Sequence, residues 1–147
     1  MLFLFSFFGC IPIPLPRNFI VQPELHVQVL NEKQKYISNA QVVFVTLSDP
    51  HNNVHRYMTF DTDEKGKLYI PEQKEFEWIF PLMMHGIPFY SYHVCIYKDD
   101  YITQSIDVDP KDSQDQSLMI TLFNREELNK QKKTSLDIDP CAQYKFE

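Results

Sequence analysis

The chain has 147 residues, which is enough for one domain and too few for two of ordinary size. Hydrophobic residues make up 44% and charged residues 23%, an ordinary globular usage that excludes a disordered or fibrous chain. Three Gly against ten Pro exclude glycine-rich phosphate loops, and a formal charge of −6 offers nucleic acid no electrostatic attraction. We therefore expect one acidic globular domain that does not bind nucleic acid.

The first ten residues form an apolar run, MLFLFSFFGC, that is followed by IPIPLP. A helix that crosses a membrane needs about 20 apolar residues. The three prolines between residues 11 and 16 would end a helix earlier, because proline has no amide proton and clashes with the preceding turn. The run is therefore predicted to be the hydrophobic region of a signal peptide or a buried strand.

Gly9 and Cys10 at the end of this run resemble the processing site of bacterial lipoproteins. The resemblance implies that Cys10 carries lipid and anchors an exported protein to a membrane. Ile11 follows the cysteine instead of Asp, which implies the outer membrane, with the protein facing the periplasm or the cell surface. Residues 1–10 are then the signal segment, and residues 11–23 are a proline-rich spacer.

Residues 24–123 contain short segments in which apolar and polar side chains alternate, and turn-forming residues separate these segments. The alternation predicts about seven strands, at 25–29, 40–48, 54–62, 68–70, 90–96, 101–108 and 118–122. Seven short strands at regular spacing are typical of an all-β, antiparallel sandwich. Residues 124–147 are polar and are predicted to form a tail with a short helix near 125–132.

Residues 71–88 interrupt the alternation with three prolines, one glycine and many large apolar side chains. So apolar a segment is predicted to fold over one end of the core or to form an exposed contact surface. Aromatic rings and methionines together are typical of binding surfaces. The candidate binding residues are Trp78, Phe80, Met83, Met84, Phe89 and Tyr90.

Several motifs occur in a fixed order along the predicted strands: LHVQVL at 25–30, ISNAQV at 37–42, TDEKGKLYI at 62–70, YHVCIYKDDY at 92–101 and LMITL at 118–122. Together they resemble the carboxypeptidase regulatory-like domain, one of the transthyretin-like (prealbumin-type) sandwiches. The resemblance covers about residues 24–123 and implies an Ig-like or transthyretin-like fold. Asp100-Tyr101 stands where that family usually has Gly-Tyr.

If Cys10 carries lipid, two cysteines remain, Cys95 and Cys141. An even number in an exported protein predicts a disulfide that would tie the tail to the domain. The alternative is a pair of unpaired, buried thiols.

The sequence of residues 61–72 is close to the pattern of an EF-hand calcium loop. Lys65 occupies a position that needs an oxygen ligand, and the flanking segments are strands, so a structural β-turn is predicted. The five histidines show no metal-ligand spacing, and no nucleophile motif occurs. The C-terminal motif of the transthyretin-like hydroxyisourate hydrolases is also missing. We therefore expect no metal, no cofactor and no enzymatic activity.

Together these features predict a non-catalytic, exported, lipid-anchored binding module of the bacterial cell envelope that contacts an envelope protein. One alternative is an inhibitor or immunity protein that blocks a toxin or hydrolase. The other is a carbohydrate-binding module that uses Trp78.

Overall fold

The computed structural model describes residues 14–49, 53–79, 89–109, 117–131 and 141–142. Within these residues the chain forms nine β-strands and one short α-helix. The strands are β1 Leu15–Gln22, β2 Leu25–Asn31, β3 Gln41–Asp49, β4 Asn53–Asp61, β5 Lys67–Ile70, β6 Gln73–Ile79, β7 Phe89–Tyr97, β8 Gln104–Val108 and β9 Ser117–Leu122. The helix is α1, Arg125–Gln131.

Seven of the strands form two sheets that pack as a sandwich. One sheet has the order β5-β2-β9 and the other has the order β4-β3-β7-β8. All pairs are antiparallel except β2 and β9, which run parallel. The predicted all-β sandwich is confirmed, and its seven strands are the seven that alternation predicted.

Inward-facing side chains of both sheets form the main core. Val27 of β2, Phe44 of β3 and Val94 of β7 are almost fully buried and belong to one apolar cluster. Each fully buried aliphatic or aromatic side chain of this kind stabilises the fold by about 1.5–3 kcal/mol. The cluster holds the two sheets together.

A second apolar cluster lies on the other side of the four-stranded sheet. There Val43, Val45 and Leu47 of β3 are buried beside Cys95 and Cys141. The two cysteines form a disulfide with Cα atoms 6.1 Å apart. The predicted disulfide is therefore present, and it brings the C-terminal segment onto a face of β3 that would otherwise meet water.

Residues 15–22 and 73–79 differ from the sequence prediction. The former were assigned to a spacer and the latter to an irregular loop, but they form β1 and β6. The two strands pair with each other in a separate two-stranded antiparallel sheet, which we call the ribbon. Each strand supplies the hydrogen-bonding partner of the other, although they are far apart in the sequence.

The predicted turn at residues 63–66 is confirmed, and the role of Asp63 in it explains why this segment resembles a calcium-binding loop. One carboxylate oxygen of Asp63 accepts the backbone amides of Lys65 and Lys67, at 2.8 and 2.7 Å. Gly66 has φ of +65°, and a Cβ there would lie 2.6 Å from the carbonyl oxygen of Val29. Glycine fits where other side chains would collide with the neighbouring strand.

Asp100 has φ of +67°, in the left-handed region that glycine adopts most easily. Aspartate tolerates this left-handed conformation better than most residues. Its carbonyl oxygen accepts the backbone amide of Arg125 at 2.8 Å, at the start of α1. The turn at Asp100-Tyr101 is therefore tied to the start of the helix.

The predicted C-terminal helix is confirmed as α1. Asn124 caps it, because its side-chain oxygen accepts the backbone amides of Glu126 and Glu127 at 3.0 and 3.2 Å. Among the described residues, no helix is both long enough and apolar enough to cross a membrane.

Candidate functional site

The ribbon continues a ladder that starts inside the sandwich. β2 pairs with β5 up to Leu25 and Ile70, and β1 pairs with β6 from Gln22 and Gln73 onward. Two proline-containing dipeptides, Pro23-Glu24 and Pro71-Glu72, lie opposite each other at the interruption. Because proline cannot donate a ladder hydrogen bond, both strands leave the three-stranded sheet here.

Beyond this interruption, the ribbon attaches to the four-stranded sheet. The carbonyl oxygen of Ile20 accepts a hydrogen bond from the Tyr92 hydroxyl, and that of Val21 accepts one from the Thr46 hydroxyl at 2.6 Å. A β-bulge interrupts the pairing between Ile20 and Gln22. The bulge frees backbone carbonyls from the ladder, so side-chain hydroxyls of β3 and β7 can bind them.

A second bulge, in β4, presents two neighbouring nitrogen-bearing side chains, Arg56 and His55, to the ribbon. The register of β4 against β3 shifts at Thr46, where Arg56 is paired and His55 is extra. Both neighbouring side chains then contact the same carboxylate. Each has a nitrogen 3.4 Å from an oxygen of Glu75 in β6, and Arg56 also donates to the side chain of Gln73.

The remaining underside of the ribbon combines an aromatic stack with an ion pair. The ring of Phe19 stacks on that of Tyr90 with centroids 4.5 Å apart. Arg17 and Glu77 have charged atoms 3.9 Å apart.

The two tyrosines under the ribbon have raised pKa values. Burial is the main cause for Tyr90, and the Glu77 carboxylate is the second cause; burial is also the main cause for Tyr92. Both hydroxyls therefore stay protonated in neutral solution and can donate hydrogen bonds.

The opposite side of the ribbon faces solvent, and we call it the aromatic face. Side chains that are directly paired across two strands share one side of the sheet. The face comprises Pro16, Asn18 and Ile20 of β1 and their partners Trp78, Phe76 and Lys74 of β6. Phe76 is 55% exposed and Trp78 is 58% exposed, and their rings meet edge to face with centroids 5.4 Å apart.

The polarity of β6 is therefore reversed relative to an ordinary surface strand. Its carboxylates, Glu75 and Glu77, point toward the sandwich, and its aromatic rings point toward water. The inward carboxylates are explained by the cations of β1 and β4 that they meet. Nothing among the described residues covers the two rings.

The predicted binding residues separate in the structure. Trp78 lies on the aromatic face, and Phe89 is 61% exposed at the start of β7. Tyr90 lies under the ribbon instead, where it packs on Phe19, so it does not belong to the exposed surface. The remaining predicted positions, Phe80, Met83, Met84 and the lipidation site Cys10, lie outside the described residues.

The sequence prediction omitted Phe76 and Pro16 from the binding surface. The alternation of Glu75, Phe76, Glu77 and Trp78 was the signal that could have identified Phe76. Such alternation indicates a strand with one charged and one aromatic side. It does not indicate which side is buried. Arg56 of β4 determines this, because it pairs with the Glu75 carboxylate on the inner side.

A groove of about 530 Å³ lies on the outer surface of the three-stranded sheet. Its floor carries His26 and Gln28 of β2 and Lys67 and Tyr69 of β5, and Ser117 lies at its border. Tyr69 is 52% exposed, and its ring lies 4.9 Å from that of His26 at a tilt of 36°. The sequence analysis had placed no site here.

The histidines of the described residues contact aromatic rings and carboxylates. His26 lies near Glu24, His55 near Glu75, and Nδ1 of His93 lies 2.6 Å from Asp107. Within the described part of the chain, no three His, Cys, Asp or Glu side chains are grouped closely enough to hold a metal ion.

No protein-family model and no curated protein sequence matches the chain. Among solved structures, it is similar to 3-chlorocatechol 1,2-dioxygenase from Rhodococcus opacus 1CP, with 10% identity over 70% of this chain and 59% of that one, at a TM-score of 0.48. A mercury-inhibited catechol 1,2-dioxygenase from Acinetobacter sp. ADP1 has 13% identity over 71% of this chain and 52% of its own, at a TM-score of 0.42.

The C-terminal domain of the shaft pilin spaA from Lactobacillus rhamnosus GG is also similar. Its identity is 11% over 70% of this chain and 98% of the pilin domain, with a TM-score of 0.38. This chain spans only 59% and 52% of the two dioxygenases. With identities this low and TM-scores below 0.5, the three neighbours carry no inference about activity or ligand.

Proposed function

We propose that this chain is a non-catalytic, lipid-anchored sandwich module of the bacterial cell envelope, and that it contacts an envelope protein through the aromatic face. We further propose that it is a transthyretin-like domain, on the motif order given above. The Cys95–Cys141 disulfide supports an oxidising, extracytoplasmic compartment. The position of Cys10 at the end of an apolar run supports the lipid anchor.

The reversed polarity of β6 is the observation that carries the proposed contact. Two neighbouring aromatic rings, Phe76 and Trp78, are more than half exposed on a strand whose two carboxylates point inward. Burying about 100 Å² of each ring against a partner would contribute about 2–3 kcal/mol per ring. Contributions of that size are typical of the few residues that dominate a protein interface.

The composition of the aromatic face supports a protein partner. Asn18 and Lys74 lie beside the apolar side chains and could form the polar rim that such interfaces have. No carboxylate lies on the face itself, and the one at its edge, Glu72, is paired with Lys74 at 2.7 Å, although the protein has a net charge of −6. A partner would therefore meet little of the repulsion that the rest of the surface offers.

The start of β1 supports a partner close to the membrane. Leu15 follows Cys10 by five residues, which span at most about 18 Å when fully extended. Leu15 is paired with Ile79, next to Trp78. A lipid on Cys10 would thus hold the aromatic face near the bilayer surface.

The two described cysteines support a non-catalytic role, because they are bonded to each other and neither can act as a thiolate nucleophile. His55 lies against the Glu75 carboxylate, and it lines neither the groove nor the aromatic face.

The contact is tested by photo-crosslinking in cells. A photoreactive phenylalanine analogue at Phe76 is expected to form a discrete protein adduct, which Trp78→Ala abolishes. The control places the analogue at Tyr36, which is 59% exposed outside the aromatic face. The proposal fails if Phe76 gives no protein adduct, or if Tyr36 gives the same one.

Because Trp78 is the only tryptophan, its fluorescence distinguishes a protein partner from the membrane itself. Vesicles of phosphatidylethanolamine and phosphatidylglycerol are expected to leave the emission of the delipidated protein unchanged. A blue shift on adding vesicles would assign the aromatic face to lipid instead.

The anchor is tested separately by mass spectrometry of membrane-fraction protein. A diacylglyceryl or triacyl modification is expected on Cys10, and Cys10→Ala is expected to release the protein from the membrane. An unmodified chain that still starts at Met1 would contradict the anchor, and it would leave the crosslinking result intact.

A further inference from the structure

We propose that the groove on the three-stranded sheet binds a saccharide. This site is separate from the aromatic face, and its argument does not depend on the proposed protein contact. The volume of about 530 Å³ lies within the roughly 300–1,000 Å³ of small-molecule pockets. The groove is open along the sheet surface, so it could hold the end of a longer glycan chain.

The lining excludes a purely apolar ligand. The aliphatic side chains that border the groove, Val27 and Leu68, belong to the sandwich core or pack against it. The side chains presented on the floor are an amide, an ammonium group, an imidazole and a phenol ring, and a hydroxyl lies at the border. An apolar molecule would leave these groups without hydrogen bonds, which is costly when water is displaced.

The charges of the groove do not favour an ion. Lys67 supplies one positive charge, and Asp63 at the border supplies one negative charge. Glu24 adds a second carboxylate, which lies next to His26 and Tyr69. Because charges of both signs line the groove, neither an anion nor a cation gains much electrostatic binding energy there.

An uncharged polar molecule with apolar faces fits both observations. A sugar ring has this character, because its hydroxyls lie at the rim and its C–H groups form flat apolar faces. A tyrosine ring has a large apolar surface and a polar hydroxyl at its tip, so it can pack against the C–H face of a sugar. Tyr69 is the exposed aromatic ring of the groove.

Tyr69 is held in position before any ligand arrives. Its hydroxyl donates a hydrogen bond to Glu24 at 3.2 Å, and its ring packs against that of His26. A ring that is already fixed loses little conformational freedom on binding. The nearby Glu24 carboxylate also favours the protonated phenol, whose pKa is raised by partial burial first and by Glu24 second.

Hydrogen-bonding groups for the hydroxyls of the sugar surround this ring. Gln28, Lys67 and Ser117 line the groove, and their side chains have no hydrogen bond or ion pair to the described part of the chain. Asp63 has a different role, because one of its oxygens already accepts two backbone amides of the 63–67 turn. It fixes the start of β5, and therefore the position of Lys67.

The test applies the full-length, fluorescently labelled protein to an array of immobilised bacterial, plant and animal glycans. The wild-type protein is expected to bind at least one glycan, and Tyr69→Ala is expected to weaken binding to that glycan at least tenfold. Tyr69→Phe keeps the ring, so it is expected to weaken binding only two- to threefold. Gln28→Ala should weaken binding about three- to tenfold.

Two exposed aromatic positions serve as matched controls. Tyr36→Ala and Trp78→Ala are both expected to bind the glycan as tightly as the wild type. The inference is overturned if the wild-type protein binds no glycan on the array, or if Tyr69→Ala binds unchanged. It is also overturned if Trp78→Ala loses binding, because the saccharide would then lie on the aromatic face.

Discussion

β6 of the ribbon and the strands of the sandwich share the same alternation of side chains but turn different kinds of side chain toward the protein. In the sandwich, the inward positions of β2, β3 and β7 are apolar, as Val27, Phe44 and Val94 illustrate. In β6 of the ribbon, the inward positions are Glu75 and Glu77, and the outward ones carry aromatic rings. Alternation alone therefore defines two sides of a strand without defining which side is buried.

The difference follows from what each element packs against. A sheet that faces another sheet displaces water over a large area, so apolar side chains are favoured on that side. The ribbon packs on the end of the four-stranded sheet, where Arg56 and His55 are presented by a bulge. Carboxylates are favoured there, and the two aromatic rings of β6 face solvent.

The largest expected effect is the loss of a core ring. Phe44→Ala removes a fully buried side chain between the two sheets, so it should lower the free energy of unfolding by about 3–5 kcal/mol. Urea unfolding followed by circular dichroism measures the change. A loss below about 1 kcal/mol would mean that the two sheets are not held together by this core.

Removing the disulfide should have the next largest effect. The bond joins residues that are 46 positions apart, and a loop of that length corresponds to a stabilisation of about 4 kcal/mol at most. The double variant Cys95→Ala/Cys141→Ala should lose about 2–4 kcal/mol. Its control is the wild-type protein under reducing conditions, which should show the same loss, and unequal losses would point to packing effects of alanine.

The hydroxyls under the ribbon predict a dependence on alkaline pH. The pKa values of Tyr90 and Tyr92 are raised above the ordinary value of 10.0, so the folded state holds these protons more tightly than the unfolded chain does. Their contribution is complete below pH 10 and is lost as the pH rises above it. Thermal unfolding between pH 8 and pH 11 should show this decline.

Tyr92→Phe isolates one of the two hydroxyls. It removes the donor to the carbonyl oxygen of Ile20, which should cost about 1 kcal/mol at pH 8 and make the alkaline decline shallower. Tyr36→Phe is the control, because that exposed ring carries no such hydrogen bond among the described residues. An alkaline decline of unchanged slope in Tyr92→Phe would remove this explanation.

The ion pairs under the ribbon should matter locally more than globally. Glu75 is partly exposed, so Glu75→Gln should cost at most about 1 kcal/mol of global stability. The change should instead speed amide hydrogen exchange in β1 and β6 and leave exchange in β3 and β7 unaltered. Equal acceleration in all four strands would show that the ribbon and the sandwich open together.

The smallest effect is expected for a ring of the aromatic face. Phe76→Ala should change the free energy of unfolding by no more than about 0.5 kcal/mol, because the ring is mostly in water. Comparison with Phe44→Ala holds the chemical change constant and varies only the burial. A loss above about 2 kcal/mol would mean that the ring supports the fold and is not available to a partner.

The sequence determined the class of fold, the seven strands of the sandwich and the 63–66 turn, and it offered the cysteine pair and the short C-terminal helix as alternatives that the structure then decided. Each of these depends on neighbouring residues, on turn chemistry or on a count of cysteines, so the signal lies within a short stretch of chain. An exposed surface that includes Trp78 was one of the two alternatives that the sequence left open for the aromatic segment.

Only the tertiary structure determined the ribbon, the direction of its faces and the groove. β1 and β6 are separated by 50 residues, and the ladder between them forms because Pro23 and Pro71 redirect both strands at the same point. The groove likewise joins side chains from β2, β5 and the start of β9. Such features depend on which distant segments meet, and a local pattern of polar and apolar residues contains no information about that meeting.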